Sequence, residues 1–119
     1  MESLMPPKIE SYGMGKIVVD GHSYTSDLII LPDRIFQSWW RKTSHSVTLD
    51  DLAEALKEAP EVLIIGKGRF GRMEVPADTR SALEARNVEV IARSTQEACQ
   101  IYNEMRDSRK VAAALHLTC

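Results

Sequence analysis

Three apolar runs mark the second half of the chain: "VLIIG" at residues 62–66, "VEVIA" at 88–92 and "VAAALHL" at 111–117. The first has no polar position, as expected of a strand buried on both faces of a parallel sheet. Between the runs the apolar residues recur with helical spacing. Leu49, Leu52, Ala53 and Leu56 form one face, with Thr48 and Asp51 placed to cap it and Ala59-Pro60 to stop it. Pro76 and Asp78 open a second helix that runs through Leu83 to about Arg86, with Asn87 as its C-terminal cap. Ser94 and Glu97 make an S-x-x-E capping box, followed by an inward stripe of Ala98, Ile101, Tyr102 and Met105. The order from residue 62 is β-α-β-α-β, which calls for right-handed crossovers and a parallel core sheet.

The first third reads as β. "KIVV" and "HSYTSDLIIL" flank Asp20-Gly21, a dipeptide favoured in type I′ hairpin turns because both central residues need positive φ. Gly13 and Gly15 suggest a bend or bulge before it. "RIFQSWWRK" fits a short strand better than a helical turn. The expected architecture is α/β: a β-hairpin layer attached to an α/β layer, in one domain spanning residues 1–119.

Length and composition agree with one soluble domain. The chain has 119 residues, enough for a single core. Its net charge is -2 and its Lys and Arg residues are dispersed, so no basic stripe for nucleic acid is expected. No segment has the length of a signal peptide's apolar region or of a membrane helix, which predicts a cytoplasmic protein without a membrane partner. Two cysteines, Cys99 and Cys119, make no disulfide framework, and Cys99 reads as a small buried hydrophobe.

"VLIIGKGRFGRM" contains a literal G-x-G-x-x-G after a strand. A dinucleotide fingerprint starts its helix within the glycines and carries an acidic residue about 20 positions on. Here "RMEVPAD" delays the helix, and Arg93 stands where the acid should. No G-K-[ST] follows for a P-loop. No cofactor is therefore expected. Loops at the carboxyl ends of parallel strands remain the usual place for ligands in such sheets. The candidate ligand site is Gly66, Lys67, Gly68, Arg69, Gly71 and Arg72, with Arg93 and Thr95 beside it. Its cations and glycine N–H groups would suit a small anion.

Other chemistry is thin. His116-x-x-Cys119 offers two zinc ligands where a structural site needs four, so no metal is expected. Asp50, Asp51 and Glu54 suit a helix N-terminus, and His22, His45 and His116 carry no catalytic signature. Trp39, Trp40 and Arg41 form the candidate interface. Neighbouring strand residues face opposite ways, which would leave one indole in the core and the other exposed beside arginine; packing of both in the core is the competing expectation.

Taken together, "SYGMGKIVVDGHSYTSDLIILPD", "WWR", "PEVLIIGKGRFGRMEV", "STQEACQIYNEM" and "VAAALHLTC" resemble the Mth-domain family, over the whole chain from Lys8. That family includes archaeal and bacterial single-domain proteins, the adipogenesis-associated Mth-domain protein and, more distantly, a mitochondrial complex I assembly factor. The resemblance implies a three-layer arrangement around a mixed central sheet. It implies no established enzyme reaction, and its characterised eukaryotic relatives act through protein partners. The family's loop usually reads G-T-G, where Lys67 stands here. An N-terminus without a transit peptide argues against the mitochondrial branch. Two functions follow as expectations: a non-catalytic protein-binding or assembly module, which could self-associate, or an anion- or nucleotide-like-ligand site at the glycine loop.

Overall fold

In the described residues, 5–43 and 45–118 of a computed structural model, eight strands form two sheets. The smaller sheet is a meander of β1 (Ile9–Gly13), β2 (Lys16–Val19) and β3 (His22–Tyr24). Asp20 and Gly21, at φ 47° and 81°, turn β2 into β3 as the dipeptide predicts. Gly13-Met14-Gly15 is a second hairpin rather than a bend, with Met14 at φ 55° and Gly15 at φ 72°. The expected bulge lies earlier, between Ile9 and Ser11.

"HSYTSDLIIL" is not one strand. It breaks at Thr25-Ser26, so that β3 stays in the small sheet and β4 (Leu28–Ile30) enters the larger one. β5 (Ile35–Gln37) pairs antiparallel with β4, and a 3-10 turn (Asp50–Leu52) leads into the short helix α1 (Ala53–Leu56). Thr48 and Asp51 cap that turn reciprocally: Thr48 N donates to Asp51 Oδ2 at 2.8 Å and Asp51 N to Thr48 Oγ1 at 3.4 Å. The turn buries Leu52 and the short helix Ala55, leaving Ala53 exposed.

The second half follows the expected order: β6 (Val62–Lys67), α2 (Ala77–Ala85), β7 (Glu89–Arg93), α3 (Thr95–Met105) and β8 (Val111–His116). Asn87 ends α2 at φ 62°. Ser94 stands at the N-cap of α3 but makes no side-chain cap hydrogen bond; in place of the expected capping box, Ser94 Oγ donates to Glu97 Oε1 at 3.1 Å. The five-stranded sheet has the order β5-β4-β8-β6-β7, with β6 parallel to both neighbours and β4 antiparallel to β8.

Strand alternation sends side chains to opposite faces, and each face has its own core. Val62, Ile64, Leu28 and Ile30 pack with Ala98 and Tyr102 of α3 and with Ile17 and Val19 of the small sheet. Leu63, Ile65, Ile29 and Leu31 pack with Trp39, Leu52, Met73 and Leu83 on the other side. The result is a mixed central sheet between two layers, as the resemblance implies. Among the described residues, no helix is long and apolar enough to cross a membrane.

Candidate functional site

β6 and β8 deliver their carboxyl ends side by side, Gly66 opposite Leu115 and Lys67 opposite His116. The glycine loop and the start of α3 meet there. Gly66 lies in the strand, and α2 begins only at Ala77, so no helix N-terminus faces the loop from within the motif. A Cβ on Gly66 would stand 2.9 Å from Thr95 Oγ1, 2.9 Å from Leu115 Cδ2 and 3.3 Å from Thr95 Cα. The first glycine therefore admits the start of α3 against the sheet; close helix packing is what the absent side chain provides.

Thr95 is fully buried and occupies the place reserved in the sequence reading for an anion. Gly68 N donates to its hydroxyl at 2.8 Å, that hydroxyl donates to the His116 carbonyl at 2.5 Å, and Thr95 N donates to Gly68 O at 3.0 Å. Gly71 N turns back to Gly68 O at 3.2 Å. The expected anion site is corrected on this point: the N–H groups of Gly68 and Gly71 are engaged inside the fold. The cations have partners of their own. Arg69 and Arg72 each lie 5.4 Å from the ring centroid of Phe70, and Arg93 Nη1 donates to its own neighbour's carbonyl, Ala92 O, at 3.0 Å. Lys67 is half-buried beside the His116 position.

The two indoles separate. Trp39 is 3% exposed and its Nε1 donates to Asp51 O at 2.7 Å, whereas Trp40 is 83% exposed. The split arises in extended chain after β5, following Ser38 at φ 55°, and not within a strand. Arg41 turns inward, with its guanidinium 4.8 Å from the Trp39 ring centroid and its side chain only 5% exposed.

Arg41 belongs to a buried cluster that no local pattern announced. Asp27 Oδ2 lies 2.9 Å from Arg41 Nη1 and 2.7 Å from His116 Nδ1, while Asp27 Oδ1 accepts from Leu117 N at 2.8 Å. A carboxylate only accepts, so His116 carries its proton on Nδ1. The 3.1 Å approach of Arg41 Nη2 to that nitrogen is then a contact and not a second hydrogen bond. Burial pushes the Asp27 carboxyl up, but His116, the Leu117 N–H and Arg41 together hold it below the ordinary aspartate value.

This cluster underlies a cleft of about 250 Å³ between Ser26, Asp27, Trp39, Trp40, Arg41 and Thr118. Thr118 joins it to two other exposed apolar groups. Its carbonyl accepts from Arg69 N at 3.3 Å, next to Phe70, and its Cγ2 lies 3.4 Å from where a Gly15 Cβ would stand, next to Met14. Phe70 is 62% exposed and Met14 96%.

The remaining candidate chemistry is not assembled. Cys99 lies on the buried face of α3, and that burial pushes its thiol up to about 12. Cys119 lies outside the described residues, so the His116–Cys119 pair has no described geometry, and the described residues contain no cluster of metal-ligating side chains.

A family model described as "Protein of unknown function (DUF498/DUF598)" matches residues 9–116. Among solved structures, a conserved hypothetical protein from Pyrococcus horikoshii is 29% identical, with a TM-score of 0.83 over 94% of this chain and 99% of that one. A Bartonella henselae protein, described as an outer membrane protein, is 26% identical, with a TM-score of 0.82 over 99% of this chain and 100% of that one. A Bordetella pertussis protein, described as a Mth938-like domain, shares the fold at 24% identity, with a TM-score of 0.76 over 93% of this chain and 85% of that one.

Proposed function

We propose that this chain, which belongs to the DUF498/DUF598 family of Mth938-like proteins, is a cytoplasmic, non-catalytic protein-binding module whose partner meets the Trp40 end of the sheet. The carrying observation is Trp40 itself: 83% exposed, at the rim of a cleft, with Trp39 and Arg41 packed rigidly beneath it. An exposed indole beside a preformed pocket has the composition of an interface hot spot.

Met14 supports the reading. It is a long apolar side chain held at φ 55° on a hairpin tip, where Asn or Gly would carry less strain. Thr118 lines the cleft with Trp40 and meets Arg69 and Gly15, the chain neighbours of the exposed Phe70 and Met14, and neighbouring large apolar groups mark interaction surfaces more often than scattered ones do. The Arg69 and Arg72 guanidiniums flank Phe70, which suits a partner surface that carries carboxylates around an apolar centre.

The test is site-specific photo-crosslinking in cells, with a benzophenone amino acid at position 40 and, as control, at the exposed Glu84 of α2. A discrete protein adduct formed from position 40 and absent from position 84 is the expected result. Equal labelling from both positions, or none from position 40, would overturn the proposal.

A further inference from the structure

The far margin of the central sheet carries a second surface. Four strands end the two sheets, and three of them are blunted. β3 and β5 are three residues long. β1 has a bulge between Ile9 and Ser11, and Asn103 of α3 clamps its backbone, accepting from Ile9 N at 3.0 Å and donating to Ile9 O at 2.7 Å. Bulges and side-chain covers are the usual protection of an edge. β7 has neither. It runs five residues in unbroken parallel register with β6, and among the described residues it pairs with nothing else.

The register fixes which backbone groups point outward. Glu89 N donates to Glu61 O at 3.0 Å, so Glu89, Ile91 and Arg93 face β6. Val90 and Ala92 turn their N–H and C=O groups to the open side. The Ala92 carbonyl is covered only by its neighbour, through Arg93 Nη1 at 3.0 Å.

Read from its centre, the strand "EVIAR" is self-complementary in charge. Two copies running antiparallel with Ile91 on the twofold axis would place Glu89 opposite Arg93 of the second copy, twice. Val90 would face Ala92 of the second copy as a hydrogen-bonded pair, which is what their outward groups require. Moving the axis by one residue to Val90 or Ala92 sets Glu89 or Arg93 opposite Ile91 and loses both charge pairs. Glu89 already has one weak partner, Arg109 Nη2 at 3.6 Å, on the exposed surface.

We infer that β7 is a homodimerisation edge: two copies join antiparallel through Val90 and Ala92, and the Glu89–Arg93 pairs set the register. Arg93 then leaves the Ala92 carbonyl to the N–H of Val90 in the second copy and turns to the carboxylate of Glu89 there. An interface of this size gives a weak dimer, so it forms at high micromolar concentration. It lies at the opposite sheet margin from Trp40 and leaves that surface open.

The experiment is sedimentation velocity from about 5 µM to about 1 mM, the range in which a small interface associates. The wild type should show a monomer–dimer equilibrium. Glu89→Arg and Arg93→Glu each set like charges opposite one another and should weaken it about tenfold or more. An equimolar mixture of the two variants should associate again, because the edge of one is then wholly positive and the edge facing it wholly negative. The double exchange E89R/R93E should restore the homodimer, and circular dichroism should show all variants folded. A wild type that stays monomeric throughout would overturn the inference and leave the edge to a foreign strand. So would a dimer that neither single exchange weakens, or one that neither mixing nor the double exchange restores.

Discussion

Replacing Thr95 by Val tests whether the glycine loop is built around a hydroxyl. The shape is nearly unchanged, but Val can neither accept from Gly68 N at 2.8 Å nor donate to His116 O at 2.5 Å. Both groups are buried, and a buried polar group left without a partner costs about 1–3 kcal/mol. Thr95 N keeps its bond to Gly68 O, so the loop relaxes only partly. The expected loss is about 3 kcal/mol, a large share of the roughly 5–15 kcal/mol that such domains possess. In a thermal scan this is a fall of about 10 °C, and in urea a lower midpoint with an unchanged slope. Thr95→Ser keeps the hydroxyl and loses one methyl group, at about 1 kcal/mol. If Val is within about 0.5 kcal/mol of wild type, or Ser is as damaging as Val, the hydroxyl does not hold the loop. Phosphate adds a second arm: with Gly68 N engaged, phosphate and chloride at equal ionic strength should stabilise the wild type alike. A selective gain with phosphate would revive the anion site.

The tryptophan pair should divide cleanly by assay. Trp39→Ala should cost about 3–5 kcal/mol in denaturant midpoint, as truncating a core Trp does, whereas Trp40→Ala should change stability by less than about 0.5 kcal/mol. Trp40→Ala should weaken capture of the crosslinked partner by about 2 kcal/mol or more, and equal destabilisation by both variants would place both in the core. The Asp27 cluster predicts acid sensitivity. Its folded pKa is depressed, so its contribution is full above the unfolded value near 4 and is lost as pH falls through the lower folded value. Asp27→Asn should cost about 3 kcal/mol at pH 7, because it leaves Arg41 buried without its carboxylate, and should flatten the stability profile below about pH 4. An unchanged profile would show that Asp27 does not titrate with folding.

What was legible in the sequence was whatever a short window can carry. "VLIIG" announced a strand buried on both faces because it has no polar residue, and all five positions are buried. Asp20-Gly21 and Asn87 gave their turns away because positive φ selects those residues. The division of Trp39 from Trp40 was only half legible: strand alternation offered it beside burial of both indoles, and the split arises after β5 rather than within a strand. What failed was non-local. Gly66 is explained by Thr95, a whole β-α-β unit later in the chain, and nothing in the loop distinguishes a glycine that admits a helix from one that admits a phosphate. His116 meets Asp27 across 89 positions and Arg41 across 75, with no periodicity to connect them. β1, with polar Glu10 and Ser11, lacks the apolar run that marks its neighbours, and "HSYTSDLIIL" gave no sign that Thr25-Ser26 carries the chain from one sheet to the other.

The same non-local contacts fix groups of chemical interest in place. His116, the best base by residue type, is fixed by its Nδ1 to Asp27 and buried with Arg41. The thiol of Cys99 is pushed to about 12, far from a thiolate at neutral pH. The hydroxyl of Thr95 both accepts and donates within the backbone. The Thr95 bonds tie the start of α3 and the glycine loop to β8, and the His116 bond ties β8 to Asp27. Such ties make a rigid floor. Side chains above it lose little entropy on binding, because their backbone is already ordered. Trp40 stands on Trp39 and Arg41, and Phe70 on a loop pinned by Thr95 and Thr118. On the proposed reading, this ordered polar interior is the support of the exposed apolar groups that meet the partner.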